Sequence, residues 1–310
     1  MSIKILDFLG RYATVLMASS VFVALILPGL ASFLNPLLTP AVWGLLFLAM
    51  VRLDWVGVKQ NIKRWRIGGV ALLWMLIGSP ALMWVCVMQL GVAPGIAIAM
   101  VLMASSAPLN SVPAMVMMMG LNGALALVVM VGATFLLPIT VPVIAFELMN
   151  VRLDMSAWEM AGRLTSMLAS ALVASVLCRR WIGTVRITAW KTRADGVVVI
   201  LMAVFAVAIM DGVTTLLINN PSRILMITLL SFVANAVLQL VGFGLFKTIG
   251  WKDALTLGFA GGNRNMGLIL AVLPATADPD ITLYFALAQF PMYVYPALLK
   301  PLVRKWSDPH

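Results

Sequence analysis

The sequence contains little charge, little histidine and little cysteine, and each shortage excludes a class of protein. Only 10% of its 310 residues are Asp, Glu, Lys or Arg, whereas soluble domains carry about 25%. The single histidine is His310, which excludes histidine-dependent zinc sites and Ser-His-Asp triads. Cys86 and Cys178 lie in apolar stretches without a CxxC spacing and predict no redox role. Soluble enzymes and nucleic-acid-binding proteins are therefore excluded.

Apolar stretches fill most of the chain. Hydrophobic residues make up 63% of the sequence, and one membrane-spanning helix needs about 20 of them. We predict ten such helices, called span 1 to span 10 below. They cover residues 12–34, 36–51, 66–90, 93–119, 122–149, 157–178, 194–218, 223–246, 251–274 and 281–303. The predicted fold class is an all-α polytopic membrane protein, without a large domain outside the membrane.

Basic residues cluster in alternate loops of this ten-span arrangement. Of the 21 Lys and Arg residues, 17 fall on one side. These are Lys4, Arg11, Arg52, Lys59, Lys63, Arg64, Arg66, Arg179, Arg180, Arg186, Lys191, Arg193, Lys247, Lys252, Lys300, Arg304 and Lys305. Because cytoplasmic loops of membrane proteins carry an excess of Lys and Arg, both termini are predicted to be cytoplasmic.

The ten predicted spans divide into two sets of five. The first set occupies residues 1–150 and the second 151–310, and the short polar segment Asn150–Ser156 joins them. Because five is an odd number, the second set must cross the membrane in the opposite orientation. Inverted repeats of this kind are typical of secondary transporters, whose substrate sites lie near the bilayer midplane.

The fourth span of each set contains helix-breaking residues near its middle. Span 4 carries Pro108 and Pro113 among three serines, and span 9 carries Gly261 and Gly262 just before Asn-Arg-Asn. Paired interruptions at corresponding positions of two repeats are the best sequence indication of a transporter site. A pair of kinks without function is the competing interpretation.

The polar residues beside the two breaks form the predicted substrate site, namely Asn110, Ser111, Asn263, Arg264 and Asn265. Half-helix N-termini and unwound N–H groups attract anions. A charge near mid-bilayer, as at Arg264, costs at least ~2.5–3.5 kcal/mol, so we expect it to act on an anionic substrate. The alternative is a structural ion pair with Glu147. No catalytic residue, metal site or cofactor is predicted.

Two stretches of the chain resemble the bile acid–sodium symporter family of secondary transporters. They are Ser105–Pro142, with Pro108 and Thr134–Pro142 as its best parts, and Gly258–Pro274, with the run Asn265–Leu268. Trp43–Val58 is similar to the second helix of that family. The resemblance implies a core of spans 3–5 and 8–10 that moves against a panel of spans 1, 2, 6 and 7. It also implies that spans 4 and 9 cross at their breaks beside a bound organic anion, and it suggests a bacterial inner membrane.

The sequence departs from this family at the positions of its sodium ligands. Sodium-coupled members have a glutamate and a glutamine where this chain has Ala260 and Arg264, and a Ser-Asn pair where it has Pro113 and Ala114. The resemblance therefore supports substrate contacts at Ser111 and Asn265 but no sodium site. We expect Arg264 to stand in place of the bound cation.

The predicted function is secondary transport of a small organic anion, with the anion and the lipid bilayer as partners and no enzymatic activity. A sodium-coupled symporter and a cation–proton antiporter remain alternatives, although an antiporter needs a membrane-embedded carboxylate beside the breaks. An intramembrane enzyme would need Ser/His or paired Asp motifs within the spans, and a scaffold would not need two matching breaks. Liposome uptake separates these classes.

Overall fold

The computed structural model describes residue 20 and residues 22–53, 65–148 and 154–307. All regular secondary structure within these ranges is helical, which confirms the predicted all-α class. The helices are α1 Pro28–Leu34, α2 Leu38–Val51, α3 Trp65–Leu73, α4 Ser79–Leu90, α5 Pro94–Ser105, α6 Val112–Met118, α7 Gly123–Val143, α8 Ala157–Ile182, α9 Thr184–Ala189, α10 Lys191–Ala208, α11 Val213–Asn219, α12 Pro221–Phe246, α13 Trp251–Gly262, α14 Met266–Leu270, α15 Pro279–Leu287 and α16 Gln289–Ser307.

Within the described ranges, seven helical stretches are long and apolar enough to cross a membrane. They are Pro28–Val51, Arg66–Leu90, Gly123–Glu147, Ala157–Ile182, Arg193–Asn219, Pro221–Ile249 and Pro279–Pro301. The protein is therefore an integral membrane protein. These stretches correspond to predicted spans 2, 3, 5, 6, 7, 8 and 10. Spans 4 and 9 are each divided into shorter helices, and most of span 1 lies outside the described residues.

The junction before span 2 lies earlier in the chain than predicted. A non-helical residue, Leu27, precedes α1, and α1 continues through a 3₁₀ turn, Asn35–Leu37, into α2. Proline disfavours helical geometry in the residue before it but is tolerated in the first turn of a helix. Pro28 therefore ends the helical residues 22–26 before Leu27, whereas Pro36 falls in the first turn of the 3₁₀ segment and does not end the span.

Span 7 contains an interruption that the sequence did not lead us to predict. Helix α10 ends at Ala208, and α11 begins at Val213 after a turn in which Gly212 has φ +76°. The carboxylate of Asp211 in this turn accepts hydrogen bonds from Ser32 Oγ at 2.6 Å and from Asn35 Nδ2 at 3.1 Å. These side chains satisfy an acid that would otherwise break an apolar span.

The chain forms two compact units. The smaller unit comprises the described parts of Met1–Leu53, Thr165–Ile224 and Leu270–Val272, and the larger unit comprises those of Asp54–Leu164, Leu225–Ile269 and Leu273–His310. The division of residues 1–150 from 151–310 into inverted repeats, and the count of ten spans, stay predictions.

Hydrogen bonds at one end of the smaller unit tie three spans together. Arg179 Nη1 donates to Val51 O at 2.9 Å and to Leu53 O at 3.0 Å. Arg52 forms a salt bridge with Asp195 at 2.5 Å. The basic ends of spans 2 and 6 and the start of span 7 therefore share one end of this unit, while the Asp211 turn lies at the other end of span 7.

The larger unit has an apolar core built around both interrupted spans. Core residues from span 3, from the second half of span 4, from span 5 and from span 9 pack together, including Met75, Val116, Val129, Leu257 and Ala260. The start of span 5 meets the start of span 9, where Asn122 Nδ2 donates to Asp253 Oδ1 at 2.7 Å. The core thus surrounds the two breaks with packed helices.

Candidate functional site

The break in span 4 extends from Ser106 to Ser111. Helix α5 has 12 residues and ends before Ser106, which is extended with ψ 159°. Pro108 favours this ending, because it disfavours helical geometry at Ala107 and cannot donate a helical hydrogen bond to Ala104 O. Pro113 sits in the first turn of the seven-residue α6, where its missing N–H costs nothing. The two prolines therefore bound the break.

The break in span 9 is only three residues long. Helix α13 has 12 residues and ends at Gly262, and α14 has five residues starting at Met266. An amide pair on span 8 supports this ending, because Asn235 Nδ2 donates to Gly262 O at 2.8 Å and Gln239 Nε2 donates to Asn235 Oδ1 at 2.5 Å. The Gly262 carbonyl, which has no helical donor beyond the break, is satisfied from a neighbouring span.

The two breaks lie side by side and pair through their backbones. Leu109 N donates to Asn263 O at 2.9 Å, and Asn265 N donates to Ala107 O at 2.7 Å. Together they make an antiparallel bridge that pairs Pro108 with Arg264. Unwound backbone groups cannot be satisfied by lipid. The pairing therefore lets both helices break at the same place inside the protein.

Arg264 is the central side chain of this crossing and is fully buried. Its Nε donates to Gly261 O at 2.6 Å, and its Nη1 donates to Ser106 O at 2.7 Å and to Met75 O at 3.2 Å. Its Nη2 donates to Ser79 Oγ at 2.7 Å. No acid is among these partners. The alternative of an ion pair with Glu147 is therefore wrong for this structure.

Span 3 supplies an acceptor to Arg264 because of a local irregularity. Residues Trp74–Gly78 form a π-helical segment, and Ser79 N donates to Trp74 O. The next residue is Pro80, which has no N–H. The Met75 carbonyl is therefore left without a helical donor, and it accepts hydrogen bonds from Arg264 Nη1 and from Ser79 Oγ instead.

The charge of Arg264 is compensated by helix ends rather than by an acid. Ser106 follows α5 directly, and Gly261 lies in the last turn of α13. The C-terminal end of a helix carries the equivalent of about −0.5 charge. Two such ends balance most of one guanidinium charge, which is a physical reason for placing a fixed cation at this point.

The other predicted site residues fall into two groups. Asn110, Ser111 and Asn265 are partly exposed, and within the described residues the side chains of Asn110 and Asn265 have no hydrogen-bond partner. Ser111 Oγ has only a long contact, 3.9 Å, to Met115 Sδ. Asn263 is buried, and its Nδ2 donates to Phe259 O while its Oδ1 has no partner among the described residues. Their role in binding a substrate stays a prediction.

Sequence reasoning missed the residues on neighbouring spans that hold the crossing together. The adjacent Ser79 and Pro80 in the middle of span 3 are the signal that could have indicated that the Met75 carbonyl lacks a helical donor. On span 8, Asn235 and Gln239 are four residues apart and therefore share one face of the helix. In both cases polar residues or a proline interrupt an apolar stretch, but the sequence does not indicate which residues they contact.

Comparisons with known proteins add no family to these observations. No protein-family model matches the sequence, and no curated protein gives a significant match. The resemblance to bile acid–sodium symporters therefore stays a prediction from the motifs quoted above.

Proposed function

We propose that this protein is a secondary transporter that carries a small organic anion by alternating access and does not require sodium. The observation that carries the proposal is the backbone-paired crossing of two broken helices around buried Arg264. A crossing of this kind leaves polar backbone and side chains in the middle of a membrane protein, where they serve a polar substrate.

The groups at the crossing favour an anion. Asn110, Ser111 and Asn265 can donate hydrogen bonds, and the guanidinium of Arg264 supplies the only formal charge among the residues of the two breaks. We propose that these residues and Asn263 form the binding site. Because Arg264 bonds to the chain itself and two helix ends compensate its charge, its role is to hold the crossing, and the amide and hydroxyl donors of Asn110, Ser111 and Asn265 contact the anion.

The same geometry supports independence from sodium. Arg264 lies where two helix C-termini converge, which is where a bound cation would otherwise compensate their partial charges. Sodium sites need several oxygen ligands, usually including a carboxylate. Ala260, at the position of the family's glutamate, packs in the apolar core. A tethered cation therefore makes an exchangeable one unnecessary.

The division into two units supports alternating access. The smaller unit takes span 7, most of span 6 and the described part of spans 1 and 2, which are the spans of the proposed panel. The larger unit takes almost all of the spans of the proposed core. A carrier needs two bodies of this kind, because one must move while each keeps its own packing.

The shared end of Arg52, Arg179 and Asp195 supports the proposed orientation, in which this end is cytoplasmic. Reporter fusions after Lys191 and His310 are expected to lie inside the cell, and an insertion at Asn220 outside. A fusion after Lys191 that lies outside would refute the orientation.

The experiment that tests the function is uptake by proteoliposomes. A thermal-shift panel of mono- and dicarboxylates first identifies a ligand, and its neutral amide is the matched control. Uptake of that ligand is then measured in sodium buffer and in choline buffer. We expect equal uptake in the two buffers and no response to the amide. Uptake that rises steeply with sodium would indicate a sodium-coupled symporter and would refute the role given to Arg264.

A further inference from the structure

The segment between spans 6 and 7, Arg180–Trp190, is called the basic loop here. It begins at the end of α8, turns at Gly183 with φ +82°, continues through the six-residue α9 and ends at Trp190. The candidate spans Ala157–Ile182 and Arg193–Asn219 flank it on either side. Because both flanking helices cross the bilayer, the basic loop lies at the membrane surface.

Large apolar and basic side chains are exposed together along the basic loop. Trp181 is 83% exposed, Val185 82% and Trp190 43%. Arg180 and Arg186 are also exposed, and among the described residues neither has an acidic partner. Exposed tryptophan is unfavourable in water but suits the headgroup layer of a bilayer.

The sequence around the basic loop contains no negative charge. No Asp or Glu occurs from Met160 to Ala194. The neighbouring Arg179 shows the contrast, because its Nη1 bonds to Val51 O and Leu53 O and is used within the smaller unit. Among the described residues, Arg180 and Arg186 make no such bonds. Their charge is therefore available to a ligand at the surface.

We propose that the basic loop binds the phosphate headgroups of anionic phospholipids. A guanidinium makes paired hydrogen bonds to phosphate oxygens, and the flanking tryptophans pack at the level of the headgroups and glycerol. A basic residue beside an anionic leaflet favours binding by about fivefold, so two of them favour it by about 20–30-fold. The loop thus selects anionic over zwitterionic lipid, independently of what the protein carries.

The test uses the full chain in nanodiscs of phosphatidylcholine alone or with one quarter phosphatidylglycerol. Retained lipid is counted by native mass spectrometry after detergent extraction. The variant Arg180→Gln/Arg186→Gln removes the two charges. The matched control Lys247→Gln/Lys252→Gln removes two charges from another loop that belongs to the same predicted side. A second variant, Trp181→Ala, tests the apolar part, and glycerol 3-phosphate is added as a soluble competitor.

The wild type and the lysine control are expected to retain phosphatidylglycerol over phosphatidylcholine. The arginine variant is expected to lose about 20–30-fold of that preference, and Trp181→Ala to lose part of it. Equal losses of lipid preference in the arginine variant and the lysine control would overturn the proposal, because lipid retention would then depend on net charge and not on the basic loop. Displacement by glycerol 3-phosphate would assign the loop to a soluble phosphate. A dimer lost in Trp181→Ala would assign it to a second copy of the chain.

Discussion

Replacing Arg264 by alanine is the sharpest test of the crossing, because this side chain bonds to acceptors from three spans. After truncation, Met75 O still shares the single Ser79 Oγ donor with Ala104 O, but the carbonyls of Gly261 and Ser106 lose their donor. A buried carbonyl without a partner costs about 1–3 kcal/mol. Removing the cation from two helix C-termini adds about 0.3–1 kcal/mol for each end.

Removing the buried charge stabilises the protein and therefore opposes these losses. A charged side chain near mid-bilayer costs about 2.5–3.5 kcal/mol on insertion scales, and alanine removes that cost. The alanine also leaves a cavity, which destabilises by about 24 cal/mol per Å³. The lost bonds and the cavity together outweigh the relief. We therefore expect a net destabilisation of roughly 2–5 kcal/mol and a fall in Tm of about 5–15 °C.

The assay is thermal unfolding of the purified protein with millimolar guanidinium or urea added. Guanidinium has the charge and shape of the missing group, whereas urea has nearly the shape without the charge. We expect guanidinium to raise the Tm of the Arg264→Ala variant and urea to leave it unchanged. The control is Arg264→Met, in which an apolar side chain occupies the cavity, and neither additive should stabilise it.

Two results would refute this reasoning. If Arg264→Ala unfolds at the wild-type temperature, the four hydrogen bonds do not hold the crossing. If urea rescues as well as guanidinium does, the site needs filling but not a cation, and the compensation of helix ends by Arg264 is wrong.

Two further predictions concern ligand binding and packing. Ser111→Ala and Asn265→Ala should each weaken binding of the anion identified by thermal shift by on the order of 1–2 kcal/mol, as measured by calorimetry, and unchanged affinity in both would remove these residues from the site. Gly258→Ala should destabilise by about 1–3 kcal/mol, because a Cβ there would lie 2.6 Å from the Gln239 backbone oxygen. The control Gly244→Ala has nothing within 4 Å of the new Cβ, so an equal loss of Tm in the two variants would contradict the packing reason.

The sequence by itself determined the class of the protein and the places where two helices break. A membrane-spanning helix is a local property, because about 20 apolar residues in a row suffice for it. The breaks are local as well: Pro108 removes a helical donor, and the glycines ending at Gly262 allow span 8 to approach closely. Arg264 could be identified from the sequence as a candidate site residue because it lies deep within an apolar stretch.

The ends of the spans were predicted less well where more than one helix-breaking residue lies nearby. Asn35 and Pro36 indicated a junction between spans, but the chain has its junction at Leu27, before another proline. Span 7 was predicted as one continuous helix, whereas a turn containing Asp211 interrupts it. Side chains from Ser32 and Asn35 satisfy this acid, and α11 continues beyond the turn. The first outcome depends on where each proline falls in a helical first turn, and the second depends on the groups that another helix supplies.

Only the tertiary structure identifies the groups that Arg264 contacts. Its depth in span 9 is compatible with a substrate contact, an ion pair or a purely internal role. Its partners in the structure include Ser79, which is 185 residues away in the sequence, and a carbonyl freed by Pro80 on the same span. Hydrogen-bond partners of a buried charge are set by which helices pack against it. The sequence shows where each polar residue interrupts an apolar span, but it does not show which of these residues contact each other. The pairing of Pro108 with Arg264 forms only when the two helices pack together.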